Sequence, residues 1–218
     1  MKAKRRKAPI LWDNLPEAQR QGLRLLGHAL DNLEYYANCF EAALKLYDYC
    51  AESTRGVMRP RAANSYREWQ FIAARDGALS IYHFFEAMSA LGQSLRECRT
   101  YHDAIDQSVL REAKKKFLHE FKDYLRVRHS VTHAAEKTAN SQKHSVHGYT
   151  GVWSTGRSKH RVKGFVVIDS LVRRKYSNTW NGRIVSYRLS KRTFGKLCTV
   201  RDMIFDAVDA ASNHVSVA

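Results

Sequence analysis

Apolar side chains recur at helical spacing through most of the first 138 residues, with polar side chains between them. This period predicts amphipathic helices, because a helix turns once in about 3.6 residues and gathers such positions on one face. The predicted helices run from Pro16 to about Glu52, from the capping box Ser65–Glu68 to about Arg96, onward from near Asp106, and over about 121–138. The short connections between them favour an antiparallel bundle of four or five helices.

The pattern of apolar residues changes near Asn140. Residues 140–163 are polar, basic and rich in Gly, Ser and His, which predicts a mobile loop or a hairpin. Strand signals follow at 164–169 and on both sides of Asn181-Gly182, a dipeptide that favours a tight hairpin turn. A final helix is predicted after Ser190, so the fold class is mostly α with a small basic β-hairpin insertion before the last helix.

These changes divide the chain into four predicted segments. They are a basic N-terminal tail over 1–14, the helical bundle over 15–139, the basic loop and β-hairpin insertion over 140–189, and a C-terminal helix over 190–218 that packs on the bundle. No apolar run approaches the length of a membrane span, and the four scattered cysteines fit neither a zinc site nor a disulfide framework. We therefore expect a cytoplasmic protein with reduced thiols and no membrane contact.

The positive charge is concentrated in one part of the chain. The net charge is +16, and residues 137–201 hold 15 Lys or Arg against the single acid Asp169. Five further basic groups lie in residues 2–7. Such blocks attract polyanions over long range, and nucleic acid is the commonest polyanion in a cell. The charge pattern therefore favours RNA or another nucleic acid as a partner.

Residues 126–133, Arg-Val-Arg-His-Ser-Val-Thr-His, hold the densest group of side chains able to transfer protons and bind phosphate. Histidine titrates near neutral pH, and the guanidinium fork of arginine fits a phosphate. At 100° per residue, Arg126, His129 and His133 fall on one side of a helix, whereas Arg128 falls among apolar positions. A permanent cation there needs a carboxylate or a partner chain. In the alternative interpretation, the octet is the solvated face of an ordinary helix.

A metal site is the second interpretation of the octet. His129 and His133 are four residues apart, a spacing that suits zinc, and Glu136 lies beside them. A third ligand would have to come from elsewhere, with His83 and His102 as candidates. The preferred interpretation uses no metal and no cofactor.

Carboxylates on the second predicted helix are candidates to support the octet. Asp76 shares a helix face with His83, and Glu86 follows three residues later. Asp76 or Glu86 either pairs with Arg126 or Arg128 to fix the bundle, or orients the catalytic Arg and His.

Aromatic and basic residues alternate in the predicted β insertion. Basic groups bind a phosphate backbone while aromatic faces stack on unpaired bases. The residues predicted to bind nucleic acid are Arg157, Lys159, Arg161, Lys163, Arg173, Arg174, Lys175, Trp180 and Arg183. The chain has no Gly-rich phosphate loop or Ser-centred elbow, which argues against nucleotide hydrolases and esterases.

A helical bundle whose late helix carries Arg, a polar residue, three further residues and His resembles the HEPN superfamily, a group common in bacterial defence and toxin systems. The matching residues are Arg128-His129-Ser-Val-Thr-His133, and the longer stretch from Arg126 to His133 also fits the spacing. The resemblance covers about residues 16–138 and 190–212, outside the β insertion.

The resemblance implies a metal-independent endoribonuclease in which the Arg and His of two subunits meet at a dimer interface. The His would activate the ribose 2′-hydroxyl or protonate the leaving oxygen, and the Arg would stabilise charge on the phosphate. By this resemblance, Arg128 and His133 are the catalytic pair, assisted by Arg126 and His129. The expected partners are RNA, a second copy of the chain and an antitoxin. The alternative is a non-catalytic nucleic-acid-binding protein or toxin–antitoxin partner.

Overall fold

The computed structural model describes residues 15–55, 60–134, 137, 139–154 and 158–217. Within them, 72% of residues lie in seven helices, and the prediction of a mostly helical protein is confirmed. The helices are α1 (Glu17–Arg55), α2 (Pro60–Glu97), α3 (Arg99–Ala104), α4 (Gln107–Glu120), α5 (Tyr124–Thr132), α6 (Ser141–His147) and α7 (Lys191–Val217). The strands are β1 (Tyr149–Ser154), β2 (Lys159–Phe165), β3 (Ser170–Val172), β4 (Lys175–Trp180) and β5 (Arg183–Arg188).

The chain forms two compact units, each assembled from separate stretches of sequence. The described residues of the first unit come from the chain up to Asn38, from His83–Lys122 and from Phe194 onward. The second unit contains Cys39–Tyr82 and Asp123–Thr193. Helices α1 and α2 therefore contribute residues to both units.

The first unit is helical and has a core of large apolar side chains. Leu23, Leu26 and Leu30 of α1 are essentially inaccessible to solvent, as their helical spacing predicts. Phe84 of α2 stacks on Phe117 of α4, with ring centroids 5.9 Å apart. Other buried members are Leu33, Leu95, Leu197, Ile204 and Val208.

The second unit combines helix ends with all five described strands. β1 and β2 form one antiparallel sheet, and β3, β4 and β5 form a second in that order. Between β4 and β5 the chain turns at Asn181 and Gly182, whose φ angles of 48° and 69° match the turn that such a dipeptide favours. Ala78, Val127 and Val185 join α2, α5 and the second sheet in one buried cluster.

Glycine permits one close approach in the second unit. A Cβ added to Gly77 of α2 would lie 2.7 Å from the Tyr187 hydroxyl and 2.9 Å from a Leu189 methyl. The Tyr187 hydroxyl donates a hydrogen bond to the Ala74 carbonyl at this crossing. The small residue thus lets β5 contact the α2 backbone.

Two local predictions are wrong, and a third, a loop or a hairpin over 140–163, missed a helix but is right about the hairpin. The Ser65–Glu68 segment does not open α2, because the helix begins at Pro60, and proline is favoured in the first turn where its missing N–H is not needed. The helix predicted over 121–138 is shorter, since α5 runs only from Tyr124 to Thr132. Residues 140–163 contain α6 and most of the first hairpin, and Asn140 caps α6 by accepting a hydrogen bond from the Lys143 amide at 2.9 Å.

Candidate functional site

The octet lies on α5 and on the residue that ends it. Val127 and Ser130 are buried on one face of the helix, and the Ser130 hydroxyl donates to the Val127 carbonyl at 2.7 Å. The helix stops at His133, whose amide makes the last helical hydrogen bond, to the His129 carbonyl at 3.0 Å. His129 and His133 therefore lie one turn apart at the helix end.

Three histidine rings surround the indole of Trp180 at the end of β4. The ring centroids of His129, His133 and His147 lie 5.8, 6.0 and 4.6 Å from that of Trp180, and those of His129 and His133 lie 6.0 Å apart. Nδ1 of His147 accepts a hydrogen bond from the Asn181 amide at 3.2 Å, which places the proton of the neutral ring on Nε2. We call Arg128, His129, His133, His147 and Trp180 the ring cluster.

Arg128 is the arginine that contacts the histidines. Its guanidinium lies over the Tyr82 ring, 5.0 Å from the centroid, and Nη1 donates to Nδ1 of His129 at 3.2 Å. The face of an aromatic ring attracts a cation, so Tyr82 offsets part of the cost of the partial burial of Arg128. The expectation that this cation needs a carboxylate or a partner chain overlooked an aromatic partner.

The same contact changes the proton affinity of His129. Partial burial lowers the pKa of His129, and the positive charges of Arg128 and His133 lower it further. Because Nδ1 accepts from Arg128, the neutral ring carries its proton on Nε2. At neutral pH, His129 is therefore an imidazole able to accept a proton.

Arg126 lies apart from this arrangement. It is exposed and donates at 2.9 Å to the carboxylate of Asp123, the residue that precedes α5. Arg126 was predicted to share an outward face with His129 and His133. In the structure it bonds Asp123 instead, and the arginine in contact with His129 is Arg128.

The other candidates on α2 have different surroundings. In the second unit, Asp76 is exposed, and its backbone carbonyl accepts from Ser80. In the first unit, Glu86 is exposed, and the His83 ring stacks on that of Tyr36 with centroids 5.1 Å apart.

The metal interpretation gains no support from the described side chains. Among the described residues, no three His, Cys, Asp or Glu side chains lie together so that they could hold a metal ion. Glu136, the third residue of the zinc hypothesis, lies outside the described residues.

The basic residues predicted to bind nucleic acid fall into three groups. Six are exposed on or beside strands, namely Lys159, Arg161, Lys163, Arg173, Lys175 and Arg183. Arg174 instead pairs with Asp48 and lies over the Tyr47 ring, 5.2 Å from its centroid. Arg157 lies outside the described residues. Trp180, predicted to stack on bases, is half-buried among the histidines.

A second polar cluster of the same unit escaped the sequence analysis. Asp169 accepts hydrogen bonds from Arg75 and from the Tyr176 hydroxyl, and its amide donates to Oδ1 of Asn178 at 2.7 Å. Lys137 is fully buried, and its Nζ has no hydrogen-bond partner among the described residues. We call Arg75, Lys137, Asp169, Tyr176 and Asn178 the carboxylate cluster.

Burial and charge act in opposite directions on the carboxylate cluster. Burial would raise the pKa of Asp169, but the hydrogen bonds from Arg75 and Tyr176 outweigh it and hold that pKa below its usual value. Burial lowers the pKa of Lys137 to about 8, although the charge of Asp169 partly opposes this.

Two contributors to the ring cluster, His147 and Tyr82, were missed. His147 lies in the segment predicted to be a loop or a hairpin, and Tyr82 was not among the candidate residues. The only signal for His147 in the sequence is its position at the end of a short segment that Asn140 can cap, and this position does not show which residue it contacts.

Comparison with family models, with curated proteins and with solved structures finds no match to this chain. Within the part of the chain that the structure describes, no helix is both long and apolar enough to cross a membrane.

Proposed function

We propose that the protein is a metal-independent endoribonuclease of the HEPN type, with Arg128, His129 and His133 as its catalytic residues. The observation that carries the proposal is the contact of Arg128 with a neutral histidine that lies one turn from a second histidine. A permanent cation beside two imidazoles supplies the charge and the proton transfers that phosphodiester cleavage requires.

In the proposed reaction, Arg128 turns its donor from Nδ1 of His129 to the phosphate, and the freed Nδ1 accepts the proton of a ribose 2′-hydroxyl. The 2′-oxygen then forms a bond to the adjacent phosphorus, and the bond from phosphorus to the 5′-oxygen breaks. His133 donates a proton to the leaving 5′-oxygen, and the products are a 2′,3′-cyclic phosphate and a 5′-hydroxyl. Arg128 stabilises the negative charge on the phosphate oxygens, because four of its five N–H groups are not used by hydrogen bonds to described residues.

The proposal includes RNA binding by the basic insertion and assembly of two copies. Lys159, Arg161 and Lys163 are exposed on one strand, where a phosphate backbone can follow them. The fold implied is the antiparallel bundle of the HEPN superfamily, with its site completed at a dimer interface. Inhibition by an antitoxin in a defence system would follow from the same resemblance.

Cleavage of RNA in excess EDTA tests the catalytic proposal. We expect the wild-type protein to cut and the Arg128→Ala and His133→Ala variants to lose about 100-fold or more of the rate, the usual contribution of an acid–base group. His28→Ala is the matched control, because His28 is an exposed histidine of α1 in the first unit. Mapping of 2′,3′-cyclic phosphate ends identifies the reaction.

Absence of cleavage, or equal cleavage by wild type and His133→Ala, would contradict the enzyme proposal. A non-catalytic RNA-binding protein is then the better function, and the burial of His147 within the ring cluster favours it, since the cluster also packs β4 against α5 and α6. Salt-sensitive RNA binding that His133→Ala leaves unchanged would support that function.

A further inference from the structure

An open cleft of about 450 Å³ lies in the first unit, bordered by α2, α3, α4 and α7. Its apolar lining comes from Phe85, Met88, Leu110, Leu91, Leu95 and Ile204. The last three are less than 4% exposed, so this lining is the outer face of the helical core. Clefts of roughly 300–1,000 Å³ with apolar walls are typical of small-molecule sites.

The polar lining of the cleft is basic. Arg96, His102, Arg111 and Lys114 line it, and the described lining residues include no acidic side chain. Arg111 and Lys114 lie three residues apart on α4 and so share a face. The Lys114 ammonium lies 5.8 Å from the centroid of the Phe85 ring, where the cationic and apolar parts of the lining meet.

We propose that this cleft binds a small amphipathic anion, a molecule with an apolar body and one carboxylate or phosphate group. The apolar body would cover the partly exposed Phe85 and Leu110, and the anionic group would pair with Arg111 and Lys114. Inorganic phosphate is a poor ligand, because it is strongly hydrated and has no apolar part to cover the apolar lining. This inference does not depend on the proposed ribonuclease activity.

Gly92 provides a direct means of filling the cleft. It lines the cleft, is exposed on α2, and a Cβ built on it would meet nothing within 4 Å. A larger side chain at this position therefore enters open space without a backbone clash. Replacing glycine inside a helix also favours the helix, so loss of folding is not expected.

Titration calorimetry of the full chain with octanoate tests the proposal, with 1-octanol and inorganic phosphate as probes that lack the charge or the apolar body. We expect octanoate to bind at least about tenfold more tightly than either, since a charge-assisted hydrogen bond and apolar burial each contribute about that factor. The double variant Arg111→Ala/Lys114→Ala should lose about tenfold in affinity. Lys115→Ala/Lys116→Ala is the matched control, because it removes the same charge from exposed positions of α4 outside the cleft.

Gly92→Phe should abolish octanoate binding, whereas Gly92→Ala should retain most of it. Circular dichroism and thermal unfolding establish that each variant is folded. Failure of octanoate to bind, equal weakening in the two double variants, or full binding by Gly92→Phe would each overturn the proposal.

Discussion

The two polar clusters of the second unit differ in what balances their positive charge. In the carboxylate cluster, the Asp169 carboxylate accepts from Arg75 and Tyr176 and acts electrostatically on the buried Lys137. In the ring cluster, the contacts of Arg128 described by the structure are with the Tyr82 ring and the imidazole of His129. A carboxylate neutralises a cation, whereas an aromatic face leaves its formal charge in place.

This difference separates a structural role from a chemical one. A carboxylate beside a buried cation offsets part of the cost of burying that cation, so removal of the carboxylate is expected to weaken folding. A half-buried cation beside the neutral imidazole of His129 retains donors and charge for an external anion. We therefore expect changes in the carboxylate cluster to act on stability and changes in the ring cluster to act on titration and reactivity.

Asp169→Asn should have the largest effect on stability. The variant removes the carboxylate that lies beside the buried Lys137. Solvent screens the pair with Arg75, which is 48% exposed, so the free energy of unfolding should fall by about 3 kcal/mol, the lower end of the cost of removing one partner of a buried ion pair. Asparagine tolerates the left-handed φ of 51° at this position, so the backbone is preserved. Urea denaturation at pH 7 measures the change.

Asp48→Asn is the control for this prediction. Asp48 also pairs with an arginine, Arg174, but their side chains are 29% and 39% exposed. Solvent screens such a pair, and the loss should stay within about 1 kcal/mol. Equal destabilisation by the two variants would remove the structural distinction between the clusters.

Lys137→Met should stabilise the protein in a pH-dependent way. Burial moves the pKa of Lys137 from 10.5 to about 8. Below pH 8 the amine is protonated in both states, so the folded protein bears the full cost of a buried charge. Between about pH 8 and 10 the folded state releases the proton while the unfolded state keeps it, and stability rises with pH.

The Met variant should therefore be more stable than wild type by up to about 3 kcal/mol at pH 7, and this advantage should shrink above pH 8. The comparison must be made against wild type, because burial raises the pKa values of Cys50, Cys98 and Tyr176, which lowers stability in alkali in both proteins. An advantage that stays constant from pH 7 to 10 would show that Lys137 does not titrate in this range.

The sequence predicted those features whose signals are local. The apolar period located α1 to within three residues at each end, and Asp106 caps α4 by accepting from the Ser108 amide. Ser190 likewise accepts from the Thr193 amide at the start of α7. Each of these signals lies within one or two helical turns of the feature that it predicts.

The clusters could not be predicted in this way because their contacts are distant in sequence. The Asn181 amide reaches His147 across 34 residues, and Asp169 reaches Arg75 across 94. Helical geometry assigned Arg128 to an apolar side of the helix, but Leu125 on that side is 44% exposed and the buried face of α5 carries Val127 and Ser130. A helical wheel also does not show that an aromatic ring faces Arg128. The end of α5 at Thr132 was also missed, since no glycine or proline marks it.

The smallest expected effect, on the pKa of His129, tests the ring cluster most directly. Arg128→Gln should raise this pKa toward its ordinary value, because the guanidinium charge is one of the causes that lower it. Proton NMR titration of the imidazole measures the change. Arg126→Gln is the matched control, since Arg126 is paired with Asp123 and should leave the His129 pKa unchanged.

The same pKa has a consequence for stability in acid. Because folding lowers the pKa of His129, the unfolded chain binds its proton more readily, and wild-type stability should fall as pH drops below about 6.5. In Arg128→Gln this loss should be smaller, since the two states then differ less in proton affinity. If the His129 pKa rises equally in Arg128→Gln and Arg126→Gln, its low value comes from the overall positive charge of the protein and not from the contact with Arg128. A shift confined to Arg128→Gln would show that the contact itself keeps His129 neutral, which is the condition that the proposed proton transfer requires.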